Sequence, residues 1–220
     1  MSENAMNKLI TRIARPLVAG AALLLAHQAT HAAEPVEGVQ YKLLKPAQPT
    51  SVPDGKVEVV EVFWYACGHC YLIEPRVENW NQKGRAPYVE LIKLPATWNA
   101  LLKTHARAFY TVELLGKPAL HGEIFREINV RGNRLDTADK LEAFFVANGV
   151  SKADFEKAYK SFAVESKVRK AEDLNKRYRI TSTPTFIVNG KYVTDAGMNG
   201  SEQQLFETIN ALAAREKPKG

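Results

Sequence analysis

Apolar and polar positions divide the chain into three textures. Residues 17–26 (LVAGAALLLA) form one short unbroken apolar run. Beyond it, Val57–Phe63 (VEVVEVF) alternates and is β-branched, which predicts a buried strand, and residues 88–94 predict a second. A shorter candidate strand lies at residues 40–44, and a helix is predicted from Cys67 to about Trp80. From about Trp98 to Tyr178 the apolar positions recur only at helical spacing. Leu101, Leu102, His105, Phe109, Val112 and Leu115 share one helix face closed by Gly116, and residues 118–130 give a second helix. Asp136 or Thr137 caps a third, Ser151 caps a fourth, and residues 164–178 are a long charged fifth. The strand signal then returns. Phe186-Ile187-Val188, the pair Asn189-Gly190 and Lys191-Tyr192-Val193 have the form of a β-hairpin with a tight two-residue turn. A last helix, capped by Ser201, runs to about Ala214. Strands on both sides of a helical block predict one α/β domain interrupted by an all-helical insert. The expected parts are 33–97 and 181–220 for the α/β domain and 98–180 for the insert.

Composition narrows the class. In 220 residues, 45% hydrophobic and 25% charged is the mix of a globular chain, not a disordered one. The apolar run at 17–26 is about half the length a spanning helix needs. Lys8, Arg12 and Arg15 precede it and Ala29-Thr30-His31-Ala32-Ala33 follows, the order of a secretory signal peptide. Residues 1–32 are therefore expected to be a leader, cleaved after Ala32 or Ala33, and the destination of a secreted chain is an oxidising compartment. Without them the 30 basic and 24 acidic residues lose three and one respectively, leaving a net charge of +4. That charge is interleaved, with no basic stripe among aromatics, so nucleic acid is not an expected partner.

Two cysteines exclude a stapled mini-protein and a four-cysteine zinc site. Cys67-Gly68-His69-Cys70 follows a strand and opens a helix. Two intervening residues in a helical turn bring two sulfurs within bonding reach, and the first sits where unpaired backbone N–H groups favour a thiolate, the nucleophilic form. The helix alone is not enough. Moving a thiol from about 8.5 to about 4 takes roughly 6 kcal/mol, and a helix end supplies about 0.3–2 kcal/mol. Protonated His69 is the expected additional donor to the Cys67 thiolate. A structural disulfide would constrain little chain across two residues. A zinc site lacks further ligands, because His105 and His121 fall in the helical block.

These residues carry a resemblance. Phe63-Trp64-Tyr65-Ala66-Cys67-Gly68-His69-Cys70, with Pro75 five residues on, resembles the thioredoxin superfamily. Thr183-Pro184-Thr185-Phe186, followed by Val188-Asn189-Gly190-Lys191-Tyr192, resembles that superfamily's cis-proline strand. A helical insert between these halves, with a leader, is similar to the DsbA-type branch of thiol:disulfide interchange proteins, and Phe162-Ala163-Val164-Glu165-Ser166 matches it too.

The resemblance implies a thioredoxin fold and a protein-disulfide oxidoreductase that donates its Cys67–Cys70 disulfide to folding secreted proteins. Cys67 would be the attacking cysteine and Cys70 the buried resolving one. Pro184 would be cis and would present its backbone to a substrate chain; only about 5–6% of X–Pro bonds are cis, so this rests on the resemblance. Glu61 would be a buried acid trafficking protons with Cys70, against a solvent-facing glutamate on an edge strand; Glu74 would be a second acid near the site or a plain surface glutamate; and Trp64 and Tyr65 would be either a substrate surface or core. No soluble cofactor is implied beyond the redox-active pair. The implied partners are unfolded secreted proteins with free thiols and a quinone-linked membrane reoxidase of the DsbB type, and the implied state is a monomer. Two departures moderate the reading. Gly68 stands where that branch commonly has proline, giving the motif of protein disulfide isomerase, and Thr183 stands where strong oxidases often carry valine. An isomerase or reductase of the same compartment is the alternative, with a peptide-binding module as a third reading.

Overall fold

β2, Val57–Phe63, organises the domain because all seven of its residues are buried, glutamates included. The computed structural model describes residues 34–217, so the leader expected at 1–32 lies outside the described residues. The sheet has five strands in the order β1-β5-β4-β2-β3, with β1 at Lys42–Leu43, β3 at Val89–Pro95, β4 at Thr185–Val188 and β5 at Tyr192–Thr194. β2 lies parallel to β3 and antiparallel to β4, so it is interior and flanked by both halves of the chain. The strand expected at 40–44 shrinks to two residues pairing with β5.

α1, Gly68–Asn79, connects β2 to β3 and runs into a wide turn at Trp80–Gly84. Between β3 and β4 come five helices: α2 (Ala100–Leu114), α3 (Ala119–Asn129), α4 (Ala138–Ala147), α5 (Lys152–Tyr159) and α6 (Phe162–Arg177). Asn99, Thr137, Ser151 and Ser161 each cap the helix that follows by accepting a bond from its first turn. Thr137, not Asp136, is the cap of α4. α6 begins two residues ahead of the expected 164, because Ser161 is its cap and exposed Phe162 lies outside the apolar stripe. A four-residue helix, α7 (Ala196–Asn199), precedes α8 (Glu202–Arg215) and has no sequence period to announce it.

The hairpin between β4 and β5 turns through Asn189 and Gly190, both at positive φ (50° and 64°) as its tight turn demands. Gly190 is also fixed by space, since a Cβ there would sit 2.0 Å from the carbonyl oxygen of Gln48. Two apolar clusters complete the fold. One gathers Val60, Val62 and Phe63 with the helical block, and the other gathers Val57, Val59, Phe186 and Val188 with α8. Aromatic contacts at 4.9–5.8 Å between Phe63, Tyr65, Phe109 and Phe125 fasten α2 and α3 to the end of β2. That end is where the cysteines lie.

Candidate active site

Cys67 is the N-cap of α1. Its backbone is extended, and its Sγ accepts the backbone N–H of Cys70 at 3.4 Å. A sulfur thus fills the place that Ser, Thr or Asp takes at other helix starts. Cys67 is half-buried and Cys70 fully buried, both as free thiols. One turn separates them chemically as well. The Cys67 pKa is pushed down to about 5, first by the Cys70 thiol donating to it, against the opposing effect of burial, then by the Thr183 side chain and the backbone N–H groups of Cys70 and His69. Burial drives Cys70 far upward, and the neighbouring Cys67 adds to it. As a thiol, Cys67 donates to the Thr183 carbonyl at 3.3 Å. Ionisation gives up that bond and leaves the donors in charge.

Thr183 is 116 residues from Cys67 in the chain and comes to it because β4 pairs with β2. The Thr183–Pro184 peptide is cis. His69, Leu72, Thr183 and Pro184 line one groove of about 470 Å³, together with Asp195 and Glu202. Leu72 is 65% exposed there. The imidazole of His69 is exposed and makes no hydrogen bond to Cys67 among the described residues; its backbone N–H is what reaches the sulfur.

A charged cluster lies on β2, β3 and α1, the strands and helix on either side of the pair. Glu61 is 0% exposed on an interior strand. The parallel register sets Lys93 of β3 directly beside it, with Nζ 2.8 Å from Glu61 Oε2. The same ammonium lies 2.8 Å from Glu74 Oε1 and 3.3 Å from Glu78. Glu74 is therefore buried against Lys93 and not a surface glutamate. His121 of α3 joins through Nε2, 3.2 Å from Glu74 Oε1, and its Nδ1 is 2.8 Å from the Tyr65 hydroxyl. Burial raises Glu61, more than Lys93 lowers it. Burial also works to raise Glu74, yet the His121 hydrogen bond and the Lys93 charge outweigh it and bring the group down to about 2. Lys93 is lowered by burial but held in its charged form by the two carboxylates.

Tyr65 is fully buried, so of the two aromatics only Trp64 keeps any exposure. Trp64 is pinned by His105, whose Nδ1 accepts the indole N–H at 2.9 Å while Nε2–H donates to the Arg134 carbonyl at 3.0 Å. Burial lowers the His105 pKa, so it serves as a neutral structural pin. Among the described residues no group of three His, Cys, Asp or Glu is arranged to hold a metal ion. No described helix is long and apolar enough to cross a membrane.

The sequence reading missed Lys93 and His121. A signal existed for the first: a single lysine inside the apolar strand VELIKLP, at the position matching the one glutamate near the end of VEVVEVF. His121 had a weaker one, standing three and four residues before buried Ile124 and Phe125 on α3.

Fold and site together define a class, the thioredoxin-fold protein-disulfide oxidoreductases with a Cys-x-x-Cys redox pair. Within it, the model of the family described as "DSBA-like thioredoxin domain" matches residues 88–209, and the chain belongs to that family. The thiol:disulfide interchange protein DsbA of Pseudomonas syringae pv. tomato is 37% identical over 208 residues, covering 92% of this chain and 96% of its own. The DsbA of Pseudomonas aeruginosa is 34% identical over 207 residues, 92% and 97% of the two chains. Its crystal structure superposes with a TM-score of 0.78 over 83% of this chain and 94% of that one. A crystal structure of DsbA from Xylella fastidiosa gives 0.76 at 27% identity, over 83% and 97%.

Proposed function

We propose that this protein is a periplasmic dithiol oxidase whose Cys67–Cys70 disulfide is passed to folding secreted proteins. The reading is carried by the asymmetry of the two thiols: one half-buried and held as a thiolate, the other buried and held protonated. A substrate thiolate attacks Sγ of Cys67, the Cys67–Cys70 bond breaks, and Cys70 leaves as a thiolate that takes up a proton. The substrate's second thiolate then attacks its own sulfur in the mixed disulfide. The substrate leaves oxidised, and Cys67 leaves as a thiolate that needs no proton at neutral pH. Pro184 presents its backbone to the substrate chain beside Cys67, Leu72 gives the groove an apolar floor, and Glu61 supplies the Cys70 proton. The two electrons gained are returned to a DsbB-type, quinone-linked membrane partner, so no soluble cofactor takes part. The protein acts as a monomer, built from a thioredoxin-like part at 33–97 and 181–220 and a helical insert at 98–180.

The test is a redox titration in glutathione buffers. A reduction potential between about −120 and −180 mV is expected, the range of disulfide donors. Gly68 and Thr183 favour the milder end, and with it a second reading as an isomerase; a value below about −250 mV would replace both with a reductant. The same thermodynamics sets relative stability. A thiol whose pKa falls from about 8.5 unfolded to about 5 folded stabilises the reduced protein fully above pH 8.5. At pH 7 about two units of that remain, and the gain is lost as pH falls through 5. Discounted for a half-exposed sulfur, this is about 1–2 kcal/mol at pH 7. The reduced form is thus expected to melt about 4 °C above the oxidised form at pH 7, and level with it near pH 4.

His69 acts on Cys67 through its backbone N–H and, when protonated, through an exposed charge. His69→Ala keeps the first and removes the second. Followed by thiolate absorbance, the Cys67 pKa is expected to rise by about 0.7 unit, near the ceiling for an exposed charge. A rise under half a unit would remove the imidazole from the mechanism.

A further inference from the structure

The segment from Ile180 to Pro184 borders two different grooves. Ser182, Thr183 and Pro184 line the one that also holds His69 and Leu72. Ile180 and Thr181 line another, of about 360 Å³, whose other walls come from the turn after β3, from α2 and from α6. Thr183 is the residue whose carbonyl meets the Cys67 sulfur. Thr181 stands two residues before it, and two residues span at most about 7 Å. The second groove is therefore within reach of the two or three residues next to a cysteine joined to Cys67, at about 3.3 Å for each extended residue.

The two grooves differ in charge. The first carries the carboxylates of Asp195 and Glu202. The second carries Lys103, Lys176 and Arg179 against one carboxylate, Glu172. Lys103 is paired with Glu172, so Lys176 and Arg179 are two cations with no carboxylate partner among the described residues. Trp98, 47% exposed, gives the same groove an aromatic wall. A helix C-terminus attracts basic residues through its dipole, which accounts for Lys176. It does not account for the backbone of Arg179. That residue follows α6 at a φ of 55°, the left-handed position where helices favour glycine. What arginine adds there is a guanidinium in the groove, and its one bond, from Nη2 to the Lys45 carbonyl at 2.9 Å, leaves the charge uncompensated. The walls are fixed to one another by Asn175, whose Nδ2 donates to the Pro95 carbonyl at 3.1 Å and to that of Ala171 at 2.8 Å, tying α6 to the end of β3.

We propose that this groove is a substrate subsite that takes an acidic side chain of the protein undergoing exchange, on one flank of its reactive cysteine, with Lys176 and Arg179 as the specificity-determining residues. This rests on the disulfide-exchange reading above and goes beyond it by naming the sequence context the protein selects. The contrast between the grooves gives the selection a direction. An acid on the flank that reaches Lys176 and Arg179 gains two cations, while the same acid on the other flank meets Leu72 and the carboxylates of Asp195 and Glu202.

The test uses the reduced Cys70→Ser protein and single-cysteine peptides activated as pyridyl disulfides. The Cys67 thiolate attacks the peptide sulfur, the peptide–pyridyl S–S bond breaks, and thiopyridone leaves and is read by its absorbance. Four peptides carry Glu or Gln within three positions before or after the cysteine. On one flank the Glu peptide is expected to react about tenfold faster than the Gln peptide at about 20 mM salt, roughly threefold for each cation, and less than about twofold faster at about 0.5 M salt. The gain is expected in the peptide concentration giving half-maximal rate, with the maximal rate unchanged. On the other flank Glu is expected to give no gain. Adding Lys176→Gln and Arg179→Gly is expected to abolish the preference while leaving the reaction with dipyridyl disulfide at its former rate; glycine suits the φ of residue 179, so the backbone is kept. Equal rates for Glu and Gln on both flanks would overturn the proposal. So would a preference on both flanks, which marks attraction to the net positive chain, a preference that survives the double substitution, or a gain confined to the maximal rate. Failure of every peptide to form a mixed disulfide while dipyridyl disulfide still reacts would instead refute the disulfide-exchange reading itself.

Discussion

Cys67→Ser is expected to bring dithiol oxidation down to the uncatalysed rate, while the reduced Cys70→Ser protein is expected to accumulate as a covalent complex with its substrate. The two outcomes differ because the two thiols differ. Serine in place of Cys67 removes the half-exposed thiol of the pair and cannot form a disulfide, so the variant holds no oxidising equivalent to transfer. Cys70→Ser keeps the thiolate of Cys67. Its strongest single support, the Cys70 thiol, is replaced by a hydroxyl that can donate in the same direction. That thiolate still attacks a substrate disulfide, but the resolving sulfur is absent and the mixed disulfide persists, visible as a shifted band on a non-reducing gel. A peptide-binding module would behave otherwise, retaining its affinity in both variants and trapping nothing. Equal turnover in Cys67→Ser and wild type would end the oxidoreductase reading of the site.

The parts of this arrangement that were legible in the sequence are those written in local pattern. β2 was readable because valines alternate through it, the hairpin because Asn189-Gly190 can take positive φ twice, and the insert's five helices because of their apolar periods, with Thr137 and Ser151 marking two of the starts. α7 was not, since four residues hold no period, and of β1 the existence was legible but not the length, because only two residues of the strand expected at 40–44 pair with β5. The cysteine pair announced itself by spacing. What it faces did not: Thr183 reaches Cys67 through sheet pairing across 116 residues, and the cis bond at Pro184 was expected only from a resemblance. Glu61 shows the limit most clearly. Alternation alone allowed a solvent-facing glutamate, and the strand's interior place in the sheet decides otherwise. Its counter-ion, Lys93, needs the β2–β3 register, which two separate strand predictions do not contain.

That counter-ion gives the second large effect, on stability. Lys93→Met preserves the aliphatic stem and deletes the charge, leaving Glu61 wholly buried and Glu74 nearly so with no cation between them. Breaking a buried pair from one side costs about 3–5 kcal/mol, which for a domain of this size lowers the melting temperature by about 10 °C at pH 8. The sign with pH follows from the carboxylates. In the wild type Glu61 is already raised and Glu74 held low; without Lys93 both are raised by burial and by each other. A raised carboxyl group destabilises the fold above its unfolded value near 4.3, so the penalty grows as pH climbs and fades as pH drops toward 4.5. Lys93→Met is therefore expected to melt far below wild type at pH 8 and close to it at pH 4.5, with Lys93→Met/Glu61→Gln recovering about half the loss at pH 8. An equal loss at both pH values would place the contribution of Lys93 in its packed stem. The cluster would then hold β2, β3 and α1 together by packing and not by charge.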